Sequence, residues 1–311
     1  MAERAEAGGV LVVGALHHDL IVRAPYLPAP DETVMGTGVD TVCGGKGGNQ
    51  AVAAARMGAR TAFAGRIGLD EAGRAMRAHL ERAGVDISGL QSDARECSGM
   101  SVAIVRDDGE YGAVVVSGAN RAIEPEAIAI PEGTAVLVLQ NEVPDAVNTS
   151  VARRAKDAGA TLVWNAAPYR PGTAGLRALC DVLVVNRVEA SALLGLSEHD
   201  LASPLMLTGA LASRDGLPPA TIVTLGADGC VVVEVGRAPH HVPPARVEPV
   251  SSHGAGDVFV GALAARLAAH ADATLEEAAA FASRAAAVWV ASDLPERDGF
   301  SLGAVERYPD G

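Results

Sequence analysis

The chain carries a series of short apolar runs, most of them followed by a helix-forming segment. Residues 10–13 are one such run, and similar runs lie at 135–139, 161–164, 182–185 and 222–225. A continuous apolar run of this length is typical of a strand that is buried on both faces of a sheet. Strands that alternate with helices form right-handed βαβ units. The sequence therefore predicts an α/β fold with a mainly parallel central sheet and helices on both of its faces.

Two β-rich segments interrupt the first third of the chain. Residues 20–43 and 98–117 alternate loosely between apolar and polar residues and are rich in β-branched residues. This pattern favours short antiparallel strands. The remaining length fits one large α/β domain. We place that domain at 10–292, with residues 1–9 and 300–311 as tails.

The composition argues against several classes of function. Acidic residues outnumber basic residues by 38 to 25, the net charge is -13, and aromatic residues make up only 3% of the chain. Neither property favours binding to nucleic acid or to an anionic membrane. No run of about 20 apolar residues is present, and the first nine residues carry three charges and contain no apolar core region. The four cysteines are widely spaced and form no CxxC pair, which favours reduced thiols. We therefore expect a cytoplasmic protein.

Polar residues follow several of the predicted strands at the point where each strand ends. In parallel sheets, ligands bind beyond the carboxyl ends of the strands, so these side chains predict a small-molecule site. The residues in question are Asp19, Glu142, Asn165, Asn186 and Thr224. Each also has a purely structural interpretation. Asn186 and Glu189, for example, have the spacing of a helix capping box.

Two loops of small residues each precede a predicted helix. Residues 44–48 contain four glycines around Lys46, a pattern that matches neither a P-loop nor a dinucleotide-binding fingerprint. Residues 251–257 end in Gly254, Ala255, Gly256 and Asp257. Free N–H groups at a helix N-terminus attract anions, and a neighbouring carboxylate could accept a proton from an attacking hydroxyl. The structural alternative is a strand-to-helix turn that Asp257 caps.

These two loops resemble the two signatures of the ribokinase (PfkB-type) carbohydrate kinases. Residues 44–51 are similar to the amino-terminal signature, and residues 254–257 are similar to the carboxy-terminal one. The likeness runs from about residue 10 to residue 289. It includes 30–33, 117–120, 140–142, 165–168, 186–189 and 224–226. The resemblance implies a ribokinase-like three-layer α/β/α fold, in which the two β-rich segments form a small β-sheet lid.

The resemblance also implies an activity, which is the ATP-dependent phosphorylation of a primary hydroxyl of a small sugar. Asp257 would be the catalytic base, and Gly254, Ala255 and Gly256 would form the anion hole. The substrate-binding residues would be His17, Asp19, Gly45, Lys46, Asn49 and Glu142. The nucleotide-binding residues would be Asn186, Thr224 and Gly226. Glu189 would act on Mg²⁺, largely through water. The lid of such a kinase also forms a homodimer.

The chain departs from the family pattern at two places. His17 stands where these kinases usually carry asparagine, which puts ribose itself in question as the substrate. Ser251 stands where many members carry aspartate, and residues 292–297 lack an expected glycine. In ribokinases, the segments at these two positions hold a potassium ion. We therefore expect the activity to depend weakly on K⁺ or not at all.

Two other functions fit the same residues. One is a nucleoside kinase of the same fold, acting on adenosine, pseudouridine or a similar nucleoside. The other is a catalytically weak sugar-binding or regulatory protein, which the altered residues His17 and Ser251 leave open. An intact Asp257 argues against the second alternative. The expected partners are ATP and a small sugar or nucleoside.

Overall fold

The structure is a computed structural model that describes residues 8–106, 110–292 and 296–308. Its strands are β1 (Gly9–Val13), β2 (His17–Arg23), β3 (Gly38–Gly44), β4 (Thr61–Gly68), β5 (Asp86–Asp93), β6 (Met100–Val105), β7 (Tyr111–Val116), β8 (Thr134–Gln140), β9 (Thr161–Asn165), β10 (Val182–Asn186), β11 (Ala220–Thr224), β12 (Cys230–Glu234) and β13 (His240–Val242). Its helices are α1 (Lys46–Arg56), α2 (Glu71–Arg82), α3 (Asp145–Asp157), α4 (Ala174–Arg177), α5 (Arg187–Leu194), α6 (Pro204–Ala212), α7 (Ala255–Ala269), α8 (Leu275–Ala291) and α9 (Leu302–Arg307).

A nine-stranded sheet forms the centre of the molecule, in the order β13-β12-β11-β10-β9-β8-β1-β4-β5. Neighbouring strands from β11 to β5 run parallel, while β12 runs antiparallel to both β11 and β13. Val10 and Val12 of β1 belong to a core cluster with residues of α1, α2, α7 and α8, whereas Leu11 and Val13 belong to a second cluster with residues of α3, α5 and α6. Side chains on a strand alternate between faces, so both faces of the sheet are covered. The predicted three-layer α/β/α fold is confirmed.

A second sheet of four strands has the order β3-β2-β6-β7. Strands β2 and β3 are antiparallel, as are β6 and β7, and β2 pairs with β6 in parallel. The two β-rich segments predicted from the sequence therefore form one small sheet. Strand β2 begins at His17, so Asp19 lies within this sheet and does not follow β1 in a loop.

The glycine-rich stretch after β3 differs from the predicted loop, because helix α1 already begins at Lys46. Glycine is a poor helix former, so its presence in the first turn needs another reason. A Cβ atom on Gly47 would lie 2.7 Å from the Cα atom of Gly14 at the end of β1. The glycines therefore allow α1 to approach the carboxyl end of the central strand.

Residues 300–311 were expected to be a tail, and this expectation is wrong for residues 302–307. These residues form α9, and Val305 is fully buried in the core that contains α8. The sequence patterns also did not predict β5, α6 or β13. Strand β5 has polar residues along most of its length, and it lies at an edge of the sheet where one-sided burial weakens the apolar pattern.

None of the helices in the described ranges combines the length and the apolar character that crossing a lipid bilayer requires.

Candidate active site

A cavity of about 410 Å³ lies where the carboxyl ends of β9, β10 and β11 meet the small sheet and the N-termini of α1 and α7. Most of the predicted site residues line it. They are His17, Asp19, Gly45, Lys46, Asn49, Glu142, Asn186, Glu189, Thr224, Gly254, Gly256 and Asp257. Ala255 and Gly226 are not among the lining residues, and the N–H group of Ala255 donates to the carbonyl of Ser252 at 3.2 Å. The structure therefore brings most of the predicted site residues together around one cavity, and their roles stay predictions.

Asp257 lies in the first turn of α7 and is buried. The helix is capped by Gly254 at φ 79°, with no side-chain hydrogen bond to the cap. The interpretation of Asp257 as the cap is therefore wrong. Its carboxylate instead accepts hydrogen bonds from Asn49 Nδ2 at 3.0 Å and from Gln50 Nε2 at 2.9 Å. These two donors fix the carboxylate at the floor of the cavity.

The contact between α1 and α7 makes these hydrogen bonds possible. A Cβ atom on Gly261 would lie 2.6 Å from both the carbonyl oxygen of Gln50 and the Cβ atom of Ala53. Such a distance is shorter than real atoms allow, so any side chain at this position would separate the two helices. Glycine at 261 therefore lets the amides of α1 reach Asp257.

Gln50 is the centre of a buried amide network; sequence reasoning assigned Asn165 of this network to the site but not Gln50 itself. Its Nε2 also donates to Asn165 Oδ1 at 3.0 Å, and its Oε1 accepts from Gln140 Nε2 at 2.7 Å. Asn148 Nδ2 then donates to the carbonyl of Gln140 at 2.7 Å. The network ties β8 and β9 to the carboxylate. The sequence feature that could have indicated Gln50 is its position, as a polar residue at the start of an alanine-rich helical run.

Polar groups from the small sheet and from α1 line the opposite side of the cavity. The backbone N–H of Lys46 donates to Glu142 Oε2 at 2.7 Å, and Ser101 Oγ donates to Asp19 Oδ1 at 2.5 Å. Burial raises the pKa of the Glu142 carboxyl above its ordinary value, although His17 and Lys46 oppose the shift. His17 is 6% exposed, and its Nε2 has no hydrogen-bond partner among the described residues. This part of the cavity is suited to binding several hydroxyl groups.

Asn186 and Glu189 form a capping box at the start of α5, as one of the two interpretations predicted. Glu189 N–H donates to Asn186 Oδ1 at 2.9 Å, and Asn186 N–H donates to Glu189 Oε2 at 2.8 Å. Both residues also line the cavity. Burial raises the pKa of the Glu189 carboxyl, and the hydrogen bond from the backbone of Asn186 opposes this. The cap therefore holds both side chains in place without excluding a ligand from them.

The cavity combines three features. The first-turn N–H groups of α7 have no acceptor within the helix, a fixed carboxylate lies beside them, and polar groups suited to hydroxyls face that carboxylate. Enzymes that transfer a phosphoryl group to a hydroxyl depend on such positioning and on charge stabilisation, with a base that accepts the hydroxyl proton. The fold and the cavity are therefore those of a phosphotransferase that acts on an alcohol group.

Comparison with known proteins identifies the family. The family model described as pfkB family carbohydrate kinase matches residues 8–295. Ribokinase from Bacillus subtilis is 34% identical over 288 residues, which cover 91% of this chain and 93% of that protein. Ribokinase from Haemophilus influenzae is 31% identical over 295 residues, which cover 92% of this chain and 95% of that protein. The structure of Arabidopsis thaliana ribokinase complexed with ribose and ATP superposes with a TM-score of 0.86 at 27% identity, covering 97% of this chain and 98% of that one.

The chain belongs to the pfkB family of carbohydrate kinases. The family and the fold expected from the two glycine-containing signatures are therefore confirmed. The matches extend over nearly the whole chain and are not confined to those two signatures.

Proposed function

We propose that this protein is an ATP-dependent kinase that phosphorylates a primary hydroxyl of a small sugar. The observation that carries the proposal is the buried Asp257 carboxylate, which Asn49 and Gln50 hold beside the N-terminus of α7. A carboxylate in this position can accept a proton from a hydroxyl that attacks a phosphate held at the helix N-terminus. The family membership and the ribose and ATP bound by the Arabidopsis relative support the same reaction.

In the proposed reaction, the sugar hydroxyl oxygen forms a bond to the γ-phosphorus of ATP, and the bond between that phosphorus and the β,γ-bridging oxygen breaks. The hydroxyl proton passes to Asp257, and ADP leaves. The N–H groups of Gly254 and Gly256 would stabilise the charge on the transferring group. The sugar would lie between Asp257 and the groups of His17, Asp19, Gly45, Lys46 and Glu142.

The nucleotide would lie along Asn186 and Thr224, on the side of the cavity formed by β10 and β11. No group of three His, Cys, Asp or Glu side chains in the described ranges is arranged to hold a metal ion. Mg²⁺ usually keeps several waters and is bound by substrate phosphates with one or two carboxylates, so the carboxylate of Glu189 fits this role through water. The ion would supply neutralisation of phosphate charge.

A thermal-shift screen tests the proposal without a product assay. A ligand that binds the folded state alone raises the melting temperature by mass action. The panel contains ribose, 2-deoxyribose, fructose, adenosine and pseudouridine, each with a non-hydrolysable ATP analogue and Mg²⁺. A shift with a sugar supports the proposal, and a shift with nucleosides alone would favour the nucleoside-kinase alternative. No shift with the ATP analogue would contradict both kinase assignments.

His17 offers the first specific prediction. A buried nitrogen without a partner costs about 1 to 3 kcal/mol, so a ligand hydroxyl that pairs with His17 Nε2 gains from removing that cost. The variant His17→Phe keeps a ring and loses the nitrogen. We expect the KM for the sugar to rise about 10- to 100-fold, while the melting temperature of the free protein stays the same or rises.

His18→Phe is the matched control, because His18 is the next residue of β2 and is not a lining residue of the cavity. Its sugar KM should change less than threefold. An unchanged sugar KM in His17→Phe would show that His17 does not bind the acceptor.

The small sheet also carries an apolar outer face. The strand pairing places Asp19, Ser101 and Val115 on the cavity side. Because side chains alternate along each strand, Val114 and Val116 lie on the other side, where they are 68% and 49% exposed. Contiguous exposed apolar surface is typical of an interaction site, and we infer that this face is one. A second copy of this chain is the occupant that the resemblance implies.

We predict that the protein runs as a dimer of the 31.5 kDa chain in size-exclusion chromatography with light scattering. Val114→Lys should shift it to the monomer, because burying a lysine charge in an apolar interface is costly. Val235→Lys, at a valine that is 72% exposed elsewhere, is the control and should stay dimeric. A wild-type monomer at micromolar concentration would refute the prediction.

The cytoplasmic location expected from the sequence also stays a prediction.

A further inference from the structure

The turn that precedes α7 is held from behind by two side chains. Trp289 Nε1 donates to the carbonyl of His253 at 2.8 Å, and Arg297 Nη2 donates to the carbonyl of Ser251 at 2.9 Å. The guanidinium carbon of Arg297 lies 4.4 Å from the centroid of the Trp289 ring, and Arg297 is 7% exposed. Phe300 packs edge-on against the same ring at 5.3 Å. We call Trp289 and Arg297 the anchor of the turn.

The anchor determines which way the N–H groups of the turn point. In a trans peptide, the carbonyl of one residue and the N–H of the next point in opposite directions. The bond from Trp289 to the carbonyl of His253 therefore turns the N–H of Gly254 away from Trp289. Gly254 is also the cap of α7 and a lining residue of the cavity. A fixed carbonyl behind the turn thus fixes a donor in the proposed anion hole.

Arg297 also brings a permanent positive charge to this place, because guanidinium stays protonated in proteins. The resemblance implies that a monovalent cation is held by the segments at Ser251 and 292–297, of which residues 293–295 lie outside the described ranges. In this chain, the carbonyl of Ser251 already accepts from Arg297. Arg56 Nη1 donates to the carbonyl of Arg297 at 2.7 Å, which brings a second guanidinium close. Like charges repel, so this place, with the guanidinium groups of Arg297 and Arg56 beside it, is not suited to binding a monovalent cation from solution.

We propose that Arg297 is a positioning residue for phosphoryl transfer, and that its guanidinium replaces a dissolved monovalent cation behind the anion hole. It acts through the carbonyl of Ser251 and through its stacking on Trp289, and it is not a lining residue of the cavity. The inference rests on the proposed kinase function for its kinetic consequences. Its structural claim, that Arg297 orders residues 251–257, stands apart from that function.

The first test compares rates at equal ionic strength in NaCl, KCl and tetramethylammonium chloride. Wild-type kcat should agree within about twofold in the three salts, because the guanidinium of Arg297 supplies the positive charge in all of them. Arg297→Ala should lower kcat about 100-fold, the cost of a displacement of about 1 Å in an active site, and the sugar KM should change less than threefold. Added guanidinium chloride at millimolar concentration should raise the kcat of Arg297→Ala at least tenfold. Arg297→Lys should retain more activity than Arg297→Ala.

Arg266→Ala is the matched control. The Arg266 guanidinium also stacks on an aromatic ring of α8, 5.7 Å from the centroid of Phe281, but it lies in the last turn of α7 and pairs with His270, at the other end of the helix from the turn. This variant should keep wild-type kcat and should not respond to guanidinium. Wild-type activation by K⁺ of more than tenfold would overturn the proposal. So would loss of activity in Arg297→Ala that neither guanidinium nor Arg297→Lys recovers.

Amide hydrogen exchange separates this inference from the proposed function. In Arg297→Ala, amides in residues 251–257 should exchange at least tenfold faster than in the wild type, whereas Arg266→Ala should leave them unchanged. Faster exchange in Arg297→Ala than in the wild type, together with a wild-type protein that has no kinase activity, would refute the proposed function and keep the anchor. Unchanged exchange in Arg297→Ala would refute the anchor, whatever the kinase activity.

Discussion

Replacing Asp257 with asparagine should lower kcat by about 10³-fold while leaving ligand binding intact. General-base catalysis contributes on the order of 10² to 10⁴ in rate, and an amide cannot accept the hydroxyl proton. The side chain keeps its size; its Oδ1 can still accept from Gln50, and its Nδ2 can donate to Asn49 once the Asn49 amide turns its oxygen towards it, the two amides lying 2.9 and 3.0 Å from the carboxylate. The loss should therefore appear in kcat, with the KM for ATP and for the sugar changed less than about threefold.

Steady-state kinetics and calorimetric titration with an ATP analogue measure the two effects separately. Asp145→Asn is the control, because Asp145 also lies in the first turn of a helix but is exposed at the surface. It should behave as wild type. Retention of more than a tenth of wild-type kcat in Asp257→Asn would show that Asp257 is not the base.

Replacing Gln50 with methionine should have the second largest effect, on stability and on activity together. Gln50 is fully buried and bonds to Asp257, Asn165 and Gln140. Methionine has a similar volume but leaves these polar groups without their partner, and an unpaired buried group costs about 1 to 3 kcal/mol. We expect the free energy of unfolding to fall by about 3 kcal/mol. We also expect kcat to fall about 100-fold, since the Asp257 carboxylate loses one of its two positioning donors.

Gln91→Met removes an amide of the same size at the edge of the large sheet, where Gln91 Nε2 donates to the carbonyl of Glu124 at 2.9 Å and Gln91 Oε1 accepts from the N–H of Glu124 at 2.9 Å and from Arg66 Nη1 at 3.3 Å, near the protein surface. Denaturant unfolding should show less than about 1 kcal/mol of destabilisation for this control, and kcat should not change. A Gln50→Met protein with wild-type kcat would mean that the amide network does not hold the carboxylate in its productive position.

The parts of the fold that the sequence predicted are those with a local signal. Strands β1, β8, β9, β10 and β11 are buried on both faces, so each is a continuous apolar run. The start of α1 was missed because glycine disfavours helix formation, and the reason for glycine there is contact with Gly14, which is distant in the sequence. Local propensity cannot report such a contact.

The site residues likewise divide into those with a local sequence pattern and those that depend on contacts between distant parts of the chain. The glycines before α7 and Asp257 were recognisable because they are adjacent in the sequence. The donors that hold Asp257 are not, since Asn49 and Asp257 are 208 residues apart. Gln50 was overlooked for this reason, and so was the bond from Arg297 to Ser251. The sequence therefore predicted Asp257 and, as a sugar-binding residue, Asn49, whereas Gln50 and Arg297 were missed.

The most direct test of the central claim is identification of the reaction products. Purified protein is incubated with ATP, Mg²⁺ and each member of the sugar and nucleoside panel, and the products are analysed by mass spectrometry and ³¹P NMR. Our account predicts one ADP for each phosphate ester formed on the primary hydroxyl of one sugar, with the initial rate of formation about 10³-fold lower in Asp257→Asn. It would be contradicted if no acceptor in the panel were phosphorylated above the level of the Asp257→Asn variant.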